Sequence, residues 1–295
     1  FSPEEIQHML DNLDSFDAEE LKEIDKIVEE LSTRNANQAS RDDLIEFCKR
    51  MQPDYKVGRH HRILADQLMA LEDGSKDRVC VNIPPRHGKS QLVSIFYPAW
   101  FLGRNPDKKV MMVSHTTDLA VDFGRKVRNL IGVADYKEIF PDVSLAADSK
   151  SAGRWNTNFG GEYFACGIGS ALAGRGADLL LVDDPHSEQD VINGNFSVFD
   201  KAYEWFTFGA RTRLMPGGRV AIVQTRWHMD DLTGRVTDDM MKNELSDQYE
   251  IVEFPALLDS DDGTKKPLWP EFFDLAALER TKASMPAFQW NSQYQ

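Results

Sequence analysis

Apolar residues along this 295-residue chain follow two rhythms. Near the N-terminus, Leu21, Ile24, Val28 and Leu31 recur at helical spacing among acidic neighbours, predicting a helix from Ser15 to Leu31. The polar run 32–40 reads as a linker. A second helix is expected over 41–51, stopped before Pro53, and a third over 60–71 on the stripe Ile63, Leu64, Leu68 and Leu71. Beyond residue 78, short apolar runs alternate with helical patterns. Val79–Ile83, Val110–Ser114, Leu179–Val182 and Arg219–Val223 read as strands, and residues 90–102, 119–130 and 196–212 as helices. Arg154–Phe159 and Glu162–Cys166 flank Gly160-Gly161 as a hairpin. Strands that are apolar throughout and separated by helices imply an α/β fold, with a mostly parallel sheet covered on both faces. The expected organisation is an acidic helical appendage at 1–50, a core at 51–262 and a covering or linking segment at 263–295.

Composition narrows the class. No run of eighteen apolar residues is present, so no membrane-spanning helix is expected. The start, Phe1-Ser2-Pro3-Glu4-Glu5, lacks the layout of a signal peptide and reads as a trimmed terminus. Cys48, Cys80 and Cys166 are scattered, follow no metal-ligand spacing and suit a reducing compartment. The net charge of −14 argues against a surface that coats nucleic acid as a whole. Much of that charge lies between Phe1 and Arg34, which hold eleven Asp or Glu against three Lys or Arg. Contact with nucleic acid would therefore need local patches. Arg104, Lys108, Lys109, Arg125, Lys126 and Arg128 are the candidates, and a solvated helix face explains them equally well.

Three strings carry chemistry. The first is Pro84-Pro85-Arg86-His87-Gly88-Lys89-Ser90, set between an apolar strand and an apolar helix. Its end matches a phosphate-binding P-loop, in which backbone N–H groups and the helix N-terminus cradle phosphates, the lysine reaches the β- and γ-phosphates and the serine binds Mg²⁺. The motif's first glycine is replaced by Ile83. The second is Asp183-Asp184-Pro185 at the end of an apolar strand, where α/β sheets bind ligands. Asp183 is the candidate Mg²⁺ partner, and either Asp184 or Glu188 the residue that positions the attacking water. The same string is also good turn chemistry. The third is Gln224-Thr225-Arg226, polar residues at a strand tip that could sense the γ-phosphate. Together they indicate a P-loop NTPase fold of the RecA-like (ASCE) kind, using ATP and Mg²⁺. Tyr55, Arg59, His60 and His61, one helix upstream, are candidates for gripping the adenine. His60-His61 does not read as a metal pair, because adjacent helical residues point different ways.

These strings, with Gly174-Arg175-Gly176 before the acidic strand, Trp227-His228 and Asp231-Leu232-Thr233-Gly234-Arg235 after the third, and Trp290–Gln295 at the end, resemble the ATPase half of a tailed-phage terminase large subunit. The resemblance covers roughly residues 55–295. It implies an ATPase that packages double-stranded DNA, working as a ring on the procapsid portal and monomeric when isolated. It further implies a small terminase subunit as partner, host-cytoplasmic location with transient association at the portal, and a nuclease half after Gln295. By the same resemblance Arg86 would contact the γ-phosphate or a neighbouring subunit, and Gln224-Thr225-Arg226 would be the coupling motif. A trans-acting arginine is expected, with Arg154 first and Arg175 and Arg128 behind it. A helicase-like ATPase is the alternative, although only seventy residues follow Thr225. A weakly hydrolysing nucleotide-binding assembly module is the other.

Overall fold

The computed structural model describes residues 16–149, 151–192, 194–260 and 262–294. Its elements in chain order are α1 (Ala18–Asp42), α2 (Leu44–Met51), α3 (Arg59–Asp73), β1 (Arg78–Asn82), the helical run α4 (89–104), β2 (Lys109–Ser114), α5 (Thr117–Ile131) and α6 (Ala134–Ile139). Then follow β3 (Arg154–Asn156), β4 (Glu162–Gly167), β5 (Ala177–Asp183), α7 (Glu188–Ile192), the helical run α8 (197–213), β6 (Leu214–Gln224) and α9 (Leu232–Lys242). The chain ends in β7 (Glu250–Glu253), β8 (Leu257–Asp259), β9 (Lys265–Pro267), α10 (Leu275–Ala283) and α11 (Ala287–Tyr294).

Seven strands form one sheet in the order β3-β4-β2-β5-β6-β1-β7, parallel except for the β3–β4 pair. β1, β2 and β5 are buried along almost their whole length, as their apolar runs require. Alternate residues feed two cores. Val79, Val81, Leu179, Leu181, Ala221 and Val223 pack against α2–α6, while Cys80, Leu180, Val182, Val220 and Ile222 face α8 and α9. Helix starts carry their expected caps: Asp17 and Glu20 form a capping box on α1, and Thr116, Asp231 and Asp274 cap α5, α9 and α10. The order places β6 between β1 and β5, so the C-terminal tips of these three strands meet.

Two sequence expectations need correction. The run 32–40 is not a linker, because α1 continues to Asp42. The run holds neither Gly nor Pro, so nothing in its polar residues breaks a helix. Nor does residue 50 mark a packing boundary. It lies within α2, whose Leu44, Ile45, Phe47 and Cys48 are fully buried in the same cluster as Phe96, Trp100 and Tyr136. Phe47 meets the rings of Phe96, Tyr136 and Phe140 at centroid distances of 6.1–6.5 Å. The Trp100 indole donates to the Ser40 carbonyl at 3.1 Å. The start at residues 1–15 lies outside the described residues.

After Thr225 the chain adds one edge strand, β7, and the two-stranded ribbon β8–β9. Residues 263–294 then cover the molecule around Trp290, which packs with Ala256 and Leu278. Among the described residues no helix is long and apolar enough to cross a membrane. Phe47→Ala is expected to destabilise the chain by about 3–5 kcal/mol, read by urea unfolding. A loss within about 0.5 kcal/mol, as for a surface site, would place α2 outside the core.

Candidate functional site

The loop between β1 and α4 is held from below by buried histidines. The Gly58 N–H donates to His61 Nδ1 at 2.9 Å, so His61 carries its proton on Nε2. That Nε2 donates to the His87 carbonyl at 3.0 Å, and His60 Nε2 donates to the same oxygen at 2.9 Å. The His87 ring in turn reaches the Pro85 carbonyl at 2.8 Å. Trp269 packs edge-on against His61 at 4.7 Å, and Phe273 lies 5.0 Å from His87. Burial and the neighbouring His60 push His61 down to about 3, and burial pushes His87 down to about 4, so both rings are neutral at pH 7. In the unfolded chain they would protonate near 6.5, so their burial favours folding less as pH falls from 6.5 towards 4. Gly88 has φ +79°, and a Cβ there would sit 2.2 Å from His61 Nε2. Glycine is needed on both counts.

Lys89 emerges from this loop into the meeting point of the strand tips. Its Nζ lies 2.9 Å from Asp184 Oδ2 and donates to Thr225 Oγ1 at 3.1 Å. Burial opposes its charge, but Asp184 and Asp183 outweigh burial and raise its pKa. Asp183 is 1% exposed and accepts from the Ser94 hydroxyl at 2.6 Å, with Ser90 also facing it. Burial, then repulsion from Asp184, pushes its carboxyl up to about 6 against the pull of Lys89. Its other oxygen, Oδ1, is buried without a partner among the described residues. Ser94 lies where α4 widens into a π-helical turn over Leu92–Phe96, a distortion frequent at functional sites.

The structure gathers some of the expected residues and disperses others. Pro85, His87, Gly88, Lys89 and Ser90 form the loop, and Arg86 stands exposed on it with φ +60°. Asp184, not Glu188, touches Lys89; Glu188 is exposed in the first turn of α7. Tyr55 and His61 lie beneath the loop. Tyr55 is packed between His61 at 5.7 Å and Phe96 at 5.3 Å, and its hydroxyl is buried. Their side chains shape the loop and are not open to a base. Gln224 is 1% exposed, and neither end of its amide finds a partner among the described residues. Arg226 is bonded to the buried Asp231 at 2.8 Å. Arg154 sits on the outermost strand, β3, bonded to Glu162 at 2.8 Å, and Arg175 shares that carboxylate at 3.2 Å. Five strand spacings of about 4.8 Å separate β3 from β1, roughly 24 Å, so Arg154 does not reach its own loop.

Sequence reading missed several members. His186 is buried behind Asp183 and Asp184 and accepts from the Leu232 N–H at 2.9 Å, tying this tip to the start of α9. Burial pushes it down to about 4, so it can accept as a neutral ring. His115 contacts the Asp184 carbonyl. Only Ser94 left a signal, since it follows Ser90 by four residues on one helix. Of the basic candidates for DNA contact, Arg104 pairs with Glu72, Lys108 with Asp178, and Arg125 and Lys126 with Asp122.

Comparison with known proteins agrees with this geometry. The family model described as terminase large subunit, T4likevirus-type, N-terminal, matches residues 80–294. No curated protein matches the sequence. Among solved structures, the large terminase of bacteriophage HK97 aligns over 81% of this chain and 50% of its own, at 15% identity and a TM-score of 0.52. The large-terminase ATPase domain of Thermus phage P74-26, as a mutant, aligns over 81% of this chain and 93% of its own, at 17% identity and a TM-score of 0.50. Such identities show the fold alone, and this chain spans about half the length of the HK97 protein. The match over residues 80–294 takes in the end of β1, the loop, both acidic residues and the Gln224 tip: this chain belongs to the N-terminal family of terminase large subunits.

Proposed function

We propose that this chain is the ATP-hydrolysing domain of a motor that drives double-stranded viral DNA into a procapsid. The observation that carries the reading is the meeting of Lys89 with Asp183 and Asp184 at the tips of β1 and β5, with the tip of β6 between them. A lysine from a loop at a helix N-terminus, beside two strand-end carboxylates, is the donor set that phosphoryl transfer to water needs.

Mg²⁺ fits the residues present. Asp183 offers a buried, unpartnered oxygen beside the Ser90 hydroxyl, and its raised pKa marks an anion short of positive charge. Among the described residues no cage of three or more His, Cys, Asp or Glu forms. Mg²⁺ in nucleotide sites takes one or two protein oxygens, with phosphates and waters supplying the rest. Ser90 and Asp183 would hold it, and it would supply positive charge that offsets the phosphates' negative charge. The protein's own steps follow from the contacts. Incoming phosphates draw Lys89 from Asp184, and the freed carboxylate orients the attacking water and takes its proton. Gln224, buried and with no amide partner among the described residues, would register loss of the γ-phosphate through β6.

Arg154 fits a trans role because it lies on an outer edge, half exposed, beyond reach of its own loop. On this reading the active form is a ring on the portal, and an isolated subunit turns over slowly. Arg86, exposed on the loop, is the other arginine available to a phosphate or a neighbour. The exposed face of α1 suits a partner such as the small terminase subunit. The site of action is the host cytoplasm, at the portal. A helicase-like reading lacks a second nucleotide-binding lobe in the described residues after Thr225.

Three outcomes are expected. Lys89→Ala lowers ATP turnover at least about 100-fold, measured by phosphate release with portal-bearing procapsids and linear duplex DNA. Wild-type turnover that stays at background under those conditions leaves the assembly-module reading in its place. Asp183→Asn abolishes turnover yet melts higher than wild type at pH 8 without nucleotide. Its carboxyl is pushed up to about 6 in the fold, so ionising it opposes folding, and the gap should shrink as pH falls from about 6 towards the unfolded value of 3.8. A gap that does not change with pH contradicts the buried charge. Arg154→Ala subunits mixed into wild-type rings depress turnover by more than their share, and strictly proportional loss moves the trans arginine elsewhere.

A further inference from the structure

Along a continuing strand, Asp183 and Asp184 would face opposite sides of the sheet. Here both act on Lys89, because the backbone at Asp184 turns into the left-handed region, with φ +44°. A residue with a side chain rests there only when its surroundings hold it, and glycine, which would rest there freely, carries no carboxylate.

All four polar groups of Asp184 are engaged. Its N–H donates to the Val223 carbonyl at 3.0 Å. Oδ1 accepts from the Thr225 N–H at 2.9 Å, and Oδ2 faces Lys89 at 2.9 Å. Its carbonyl accepts twice from one residue: the His115 backbone N–H at 3.2 Å and the His115 ring Nδ1 at 3.1 Å. A carbonyl cannot donate, so Nδ1 carries the proton in this contact. His115 follows the last residue of β2, which lies beside β5, so the clamp spans two neighbouring strand tips. It grips the backbone and leaves the carboxylate to Lys89 and Thr225. The grip therefore persists when Lys89 moves to a phosphate.

We propose that His115 is a positioning residue: it pins Asp184 in the left-handed turn that aims its carboxylate at the phosphate loop. The proposal rests on the reading of Asp184 as the group that orients the attacking water.

The test compares wild type, Lys89→Ala, His115→Ala and His115→Asn in the full chain, with procapsids and duplex DNA. His115→Ala should lower kcat about 100-fold, the scale of a misplaced catalytic group. Its KM for ATP and its affinity for a non-hydrolysable ATP analogue should stay within about twofold of wild type. His115→Asn, whose amide N–H can stand where Nδ1–H stands, should recover most of kcat. Amide exchange at Asp184 and Thr225 should quicken in His115→Ala and return towards wild type in His115→Asn. If wild type and Lys89→Ala hydrolyse alike, the ATPase reading itself fails. If hydrolysis depends on Lys89 while His115→Ala keeps wild-type kcat, or loses affinity without rescue by Asn, the positioning role is overturned. Should His115→Ala not fold, His115→Gln replaces it: one methylene longer, it should remain impaired where Asn recovers, and equal activity of the two overturns the proposal.

Discussion

A buried amine must be paired, and the pairing of Lys89 organises everything around it. Its side chain is 8% exposed and lies against Asp184, Thr225 and the field of Asp183. These come from two strand tips, Asp183 and Asp184 from β5 and Thr225 from β6, so the charge of one lysine binds the ends of β5 and β6 to the loop that follows β1. The three tips can meet only because β6 lies between the other two in the sheet. On the proposed reading, the same pairing is what a nucleotide has to undo. The group suited to orient water is tied to the group suited to grip phosphate, and a nucleotide must separate them.

The loop that presents Lys89 is rigid for a second reason. Two imidazoles converge on one carbonyl, with Trp269 from the C-terminal segment packed against both and Phe273 against the His87 ring. A P-loop normally relies on a glycine at its first position, and here Ile83 is buried in the core instead. The histidine cradle supplies from outside the loop a brace that the altered motif no longer implies. Residues 263–294 thus cover the underside of the site and are part of its structure.

How much of this was legible in the sequence depended on how local each cause is. The strands and the loop were readable because apolar runs and the Gly-Lys-Ser string are local signals. The choice between Asp184 and Glu188 was not, since it turns on a positive φ at a non-glycine residue. Their position one helix before the loop makes His61 and Tyr55 candidates for binding the base, yet their rings lie buried beneath it. Residues 32–40 looked like a linker by polarity, although helix continuity depends on the absence of Gly and Pro. His115 and His186 left no pattern at all, because each acts through one hydrogen bond to a distant backbone group. Arg154 could be named but not located, and it sits on the edge strand β3, bonded to Glu162.

The most direct test of the Lys89–Asp184 pairing is nucleotide affinity in Asp184→Asn, measured by calorimetry with Mg²⁺ and ATP. If Lys89 must leave Asp184 before it can hold phosphate, removing that charge should tighten ATP binding several-fold, roughly 1 kcal/mol on the scale of a partly exposed charge pair, while hydrolysis collapses. Weaker binding in Asp184→Asn, or hydrolysis at the wild-type rate, would contradict the pairing of Lys89 and Asp184 as the interaction on which the site is built.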